Sequence, residues 1–124
     1  MFYRWIAIEN SLRDKSILKK YKILSATKFA EGDPSRESRM LKIQVPEEDI
    51  DELVKNLEEN IIYPYYTHFY HEDPKINKLI VVFEGKRINT RKNDFKRAID
   101  YGITHDVTRE EMNIAPRDIS QEAW

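Results

Sequence analysis

Apolar positions along this chain recur with two periods, 2 and 3.6, and the segments carrying them alternate. Residues 2–9, Phe-Tyr-Arg-Trp-Ile-Ala-Ile-Glu, are apolar on both faces for most of their length, the pattern of a strand in the middle of a sheet. Residues 22–31 set Ile23, Ser25, Thr27 and Phe29 against Leu24, Ala26 and Ala30, a weaker and more polar alternation that predicts an edge strand. In residues 37–45, Arg39, Leu41, Ile43 and Val45 share one face and Ser38, Met40, Lys42 and Gln44 the other, so one side should be buried and the other mostly wet. A long aromatic strand over residues 61–71, the wholly apolar 79–83 and a short extended piece at 87–90 complete the period-two segments.

Helical signals separate these strands. Ser11 offers an N-cap oxygen with Asp14 three residues on, and Ile17, Leu18 and Tyr21 make a small apolar face, predicting a short first helix. Pro46 suits a first helical position, Glu47, Glu48 and Asp49 suit the positive end of the dipole, and Ile50, Leu53, Val54 and Leu57 form one helical face directed at the core. Phe95, Ala98 and Ile99 mark a third helix, stopped by Gly102 with Ile103 as the hydrophobic partner of the cap. Thr108 and Glu111 form a capping-box pattern for a last turn around Met112. Gly32-Asp33-Pro34-Ser35 predicts a hairpin turn, and His71-Glu72-Asp73-Pro74 with Asn77 predicts another connection between strands.

The resulting order, β-α-β-β-α-β followed by more strand and helix, predicts an α+β class: a ferredoxin-like antiparallel sheet with two covering helices plus an extra C-terminal hairpin and helix. Residues 1–116 should form one domain, with 117–124 as a C-terminal tail. Two helices on one face leave the other face to be polar, covered by the extra C-terminal elements, or buried against a second copy, and a homodimer is therefore an expected partner arrangement.

Composition narrows the chemistry. The 124 residues suit a single domain with its own core, and the absence of cysteine excludes disulfides, thiol nucleophiles and thiolate metal sites. Basic and acidic residues number 21 and 22, whereas nucleic-acid binders carry a basic excess or stripe, so nucleic acid is not an expected partner. No apolar run approaches the roughly 20 residues that span a bilayer, and the opening apolar stretch is short and flanked by charge; a soluble, cytoplasmic protein with no membrane partner is expected. Charged residues make up 35% of the chain, but the periodic placing of the apolar ones favours a folded domain over a disordered one.

The most unusual stretch is Tyr63-Pro64-Tyr65-Tyr66-Thr67-His68-Phe69-Tyr70-His71. Strand alternation puts Tyr66, His68 and Tyr70 on one face. These are the ligand-binding candidates: an imidazole between two phenols titrates near neutral pH and can serve as a general base or donor in an aromatic pocket. The other reading is an aromatic sheet whose histidine is satisfied by a neighbouring hydroxyl or carbonyl. His68 and His71 are three apart on a strand and face opposite ways, which defeats joint metal coordination. His71-Glu72-Asp73 reads as a solvated acidic turn, and His105 with Asp106 as ordinary surface. The basic residues at 86–87, 91–92 and 96–97 read as a solvated face balanced by Asp94 and Asp100, and glycines standing singly at 32, 85 and 102 supply no phosphate loop. No catalytic residue, metal or cofactor is implied.

Residues 65–70 (Tyr-Tyr-Thr-His-Phe-Tyr), 79–86 (Leu-Ile-Val-Val-Phe-Glu-Gly-Lys) and 98–102 (Ala-Ile-Asp-Tyr-Gly), with Gly102-Ile103 and Glu110-Glu111-Met112 after them, resemble a family of small uncharacterised prokaryotic proteins of unknown function. The resemblance implies a compact cytoplasmic α+β domain and carries over no catalytic residues.

The function expected first is a noncatalytic binding or protein-interaction module meeting an unidentified protein or small-molecule ligand, since no nucleophile, base and orienter occur together and tyrosines are abundant. The alternative is a small dimeric ferredoxin-like enzyme using a pocket lined by His68 with Tyr66 or Tyr70. RNA stacking on sheet aromatics is disfavoured by the neutral charge.

Overall fold

The computed structural model describes residues 1–30, 37–109, 111, 112 and 114. Among these residues six strands, β1 (Phe2–Ile8), β2 (Lys22–Ala30), β3 (Glu37–Pro46), β4 (Tyr66–His71), β5 (Leu79–Phe83) and β6 (Lys86–Thr90), join one sheet in the order β2-β3-β1-β4-β5-β6. Every neighbouring pair is antiparallel. The same described residues form two α-helices, α1 (Ile50–Asn60) and α2 (Lys96–Thr104), and 3₁₀ turns at Glu9–Ser11, Lys15–Lys20 and Glu47–Asp49, giving an α+β architecture. β1 lies inside the sheet and β2 at an edge, as their apolar patterns predict. The hairpin turn expected at residues 32–35 and the tail at 117–124 lie outside the described residues.

Directly opposed residues share a face, so pairing sorts the core. On the first face, Trp5 stands between Ile43 and Phe69, with Ile80 beyond them. Trp5 stacks on Phe69 at 5.5 Å and 17°. Ile50, Leu53, Val54 and Leu57 of α1 and Ile17 and Leu18 of the Lys15–Lys20 turn close over this layer. The i, i+3, i+4, i+7 face of α1 is thus core, as its spacing predicts. On the second face, Ile6 stands between Lys42 and His68, followed by Val81 and Ile88. Here α2 and the segment carrying Val107, Met112 and Ile114 supply the cover. β5 is buried on both faces, which explains its five consecutive apolar residues.

Several local expectations are corrected. The first helix is 3₁₀ rather than α, and its cap is Asp14, which accepts the Ser16 N–H at 3.0 Å. Ser11 instead donates its hydroxyl to the Ile8 carbonyl at 2.6 Å, and Leu12 bridges to Ile61. The second face of β3 is not mostly wet: Ser38 and Lys42 are buried. β4 begins at Tyr66 rather than 61, because Tyr63 and Pro64 form a turn and Pro64 has no N–H for a ladder. Gly102 does not stop α2, which runs to Thr104 before Asp106 takes the positive φ of 68°. Gly102 has a packing role: a Cβ there would lie 2.4 Å from Met112 Sδ. The Thr108–Glu111 capping box does form, with Thr108 Oγ1 donating to Glu111 Oε1 at 2.8 Å and accepting the Glu111 N–H at 3.2 Å.

Candidate functional site: a polar cleft beside α1

Tyr66, His68 and Tyr70 do share one face of β4. Their rings step along the strand at 6.4 and 6.3 Å, each pair inclined by 24°. The face is the second one, however, where Tyr70 packs with Val107, Met112 and Ile114, and the Tyr66 hydroxyl donates to the Glu111 carbonyl. His68 is 7% exposed. Burial disfavours its charged form and lowers its pKa to about 4, so the imidazole is neutral at pH 7.

His71 points to the first face and is fully engaged. Its Nδ1 accepts the Asp73 N–H at 3.0 Å, which leaves Nε2 as the protonated nitrogen, 3.2 Å from Glu47 Oε2. The Tyr3 ring meets the imidazole edge-on, with centroids 4.8 Å apart and planes at 71°. This unit exists because register places Tyr3 opposite His71 and the Glu47–Asp49 turn delivers Glu47 above them.

Beside the unit, where α1 leaves the β5–β6 end of the first face partly uncovered, a cleft of about 340 Å³ opens. Tyr3, Glu47, Asp51, Lys78, Ile80 and Asn89 contribute to its lining. Tyr3 is 4% exposed as a residue, and its hydroxyl, which makes no hydrogen bond among the described residues, is not a buried atom but opens onto the cleft. Burial, and then the Glu47 and Asp51 carboxylates, raise the Tyr3 pKa and keep the phenol protonated at neutral pH. The side chains of Asp51, Lys78 and Asn89 likewise form no ion pair or hydrogen bond among the described residues. Cation, carboxylate, amide and phenol therefore line one concavity without a protein partner among the described residues, beside the buried Ile80.

A second cleft, of about 180 Å³, lies under Tyr63, Tyr65, Phe83, Glu84, Tyr101 and His105. Its rings pack on one another, Phe83 to Tyr101 at 4.7 Å and Tyr101 to His105 at 3.9 Å. Its polar groups are largely paired. Tyr63 donates to Asp106 Oδ2 at 2.6 Å, a bond that raises the Tyr63 pKa, and Glu84 is held below the ordinary carboxylate range by the Arg13 guanidinium at 2.6 Å. His105 and Asp106 thus act separately. Neither cleft is lined by Tyr66, His68 or Tyr70.

The basic residues of the 86–97 region disperse onto local partners, Arg87 to Glu58 at 2.6 Å, Lys96 to Asp100 at 2.7 Å and Arg97 to the Asn89 carbonyl at 3.1 Å. Among the described residues no group of three or more metal-ligating side chains converges, and no helix is long and apolar enough to cross a membrane. The residues of the larger cleft escaped the sequence reading because each has an ordinary role in its own segment. Tyr3 reads as a strand residue, and Glu47 and Asp51 as helix-dipole partners. The available signal was the shared alternation of Tyr3 and Trp5, which points Tyr3 at the face that α1 covers.

Fold and cleft together define an α+β protein with a polar cavity at the boundary between a helix and an open sheet end. Comparison with protein-family models, curated protein sequences and solved structures gives no match to this chain.

Proposed function

We propose that this chain is a noncatalytic binding module whose cleft beside α1 takes a small polar ligand. The observation that carries this reading is the Tyr3 hydroxyl, the accessible tip of an otherwise buried side chain, which opens onto the cleft and has no hydrogen-bond partner among the described residues. We extend the proposal to the fold, reading the order β2-β3-β1-β4 as a ferredoxin-like core with β5, β6 and α2 added to it, and to a cytoplasmic location.

The alternative, a small enzyme moving protons at His68 between Tyr66 and Tyr70, is opposed by an imidazole 7% exposed and away from both clefts. A second copy is not needed to cover the sheet face over β4–β6, where α2, Val107, Met112 and Ile114 supply that cover. The test is a titration of ¹⁵N-labelled protein with mixtures of small polar fragments. Shifts gathered at the amides of Tyr3, Asp51, Asn89 and Thr90, and reduced in Tyr3→Phe, are expected; a set of fragments that leaves those amides unmoved overturns the reading.

A further inference from the structure

We infer that the ligand of the cleft is a zwitterion of the free α-amino-acid class, with its ammonium group at Glu47 and Asp51 and its carboxylate at Lys78. This rests on the binding reading of the cleft and specifies its ligand. The charges are segregated by origin. Both carboxylates come from the start of the helical segment, Glu47 from its 3₁₀ turn and Asp51 from the first turn of α1, whereas Lys78 comes from the residue before β5. A cavity lined by acids from one element and by a base from another is complementary to a molecule carrying both signs.

The remaining groups fit that assignment. The Tyr3 oxygen can accept from an ammonium that the two carboxylates neutralise, and the influence of Glu47 and Asp51 on the phenol places both acids within its electrostatic field. His71, bonded to Glu47 Oε2 at 3.2 Å, steadies that carboxylate from below. The Asn89 amide can donate beside Lys78 to the ligand carboxylate. Ile50 and Ile80, both buried, give the lining an apolar part suited to a short aliphatic side chain. A volume of about 340 Å³ sits at the small end of ligand clefts, which span roughly 300–1,000 Å³, and favours a ligand of amino-acid size. A phosphate dianion is repelled by the two carboxylates. A bare divalent cation finds no set of three ligating side chains there among the described residues.

The test is a titration of the ¹⁵N-labelled full chain at neutral pH with L-valine, N-acetyl-L-valine and L-valinamide, in the wild type and in Asp51→Asn and Lys78→Met. Both substituted positions are solvent-exposed, so the fold is retained, and the amide spectrum verifies it. L-valine should shift the cleft amides, with acetylation and amidation each weakening binding about tenfold or more, the scale of one lost charge-assisted contact. The penalty for acetylation should shrink in Asp51→Asn, and the penalty for amidation in Lys78→Met. If the acetylated and amidated compounds bind as well as L-valine, the zwitterion assignment is overturned while the binding reading stands. If none of the three compounds moves the cleft amides, the assignment is again overturned, and the polar-fragment titration then decides the binding reading separately.

Discussion

Glu47 Oε2 lies 3.2 Å from His71 Nε2, and through this contact the turn leading into α1 is fastened to the end of β4. The imidazole is buried while the carboxylate is about half exposed, so the two partners should not cost the same to remove. His71→Ala strips the Tyr3 ring of its neighbour and frees the Asp73 N–H, with an expected loss of about 2–4 kcal/mol. Glu47→Gln keeps an acceptor at a wet position and should cost under about 1 kcal/mol. Urea denaturation of both variants checks this; equal costs would place the stabilisation in the carboxylate instead of the packed ring.

Burial of His68 should appear in acid. The unfolded imidazole takes up its proton near 6.5 and the folded one near 4, so between those values the unfolded state binds more protons. Stability from this group is intact above pH 6.5, falls as pH drops toward 4, and levels off below. The loss amounts to about 3 kcal/mol by pH 4. His68→Phe should show a shallower acid slope by that amount, measured as urea stability across the same range, and a wild-type slope retained in the variant would contradict the assignment.

Trp5 donates its indole N–H to Thr67 Oγ1 at 2.7 Å inside the first core layer, and the Thr67 hydroxyl in turn donates to the Ile6 carbonyl. Thr67→Val preserves shape but leaves a buried donor without a partner. The expected cost is about 1–3 kcal/mol, with Thr67→Ser closer to wild type, both read from denaturation followed by circular dichroism.

Gly102 and Met112 should be energetically coupled. A methyl group at Gly102 would force the Met112 thioether aside, although alanine also favours the helix by about 1 kcal/mol. In a double-mutant cycle, Gly102→Ala should therefore be more favourable in a Met112→Ala background by about 1 kcal/mol. Additive effects would mean that the side chain yields without strain.

The α1 segment was legible because one helical face repeats Ile50, Leu53, Val54 and Leu57 with nothing to interrupt it. β5 was legible because five apolar residues in a row need cover on both sides. Gly102 was misread because glycine serves equally as a helix stop and as a place of close approach, and only the position of Met112 distinguishes the two. The burial of Lys42 was hidden for a related reason, since alternation assigns a face without revealing what lies above it. Tyr66, His68 and Tyr70 do share a face, as alternation predicts, but that they line neither cleft follows from the tertiary packing over that face. The Tyr3 cleft was hidden more deeply, since it joins residues from β1, the start of α1 and the β5–β6 hairpin through register alone.

Because α1 and α2 close over opposite faces, the sheet is unevenly thick. β4 and β5 are sandwiched, while β2 is the outermost strand on its side and carries a register shift between Ile23 and Ser25. Amide protons should therefore exchange with solvent earliest along β2 and latest at residues such as Phe69 and Val81, and thermal opening should travel inward from the thin end. A ligand seated between Tyr3 and Asn89 would clasp the helix to the slow-exchanging half, so that occupancy of the cleft would be registered as a delay in the last amides to exchange.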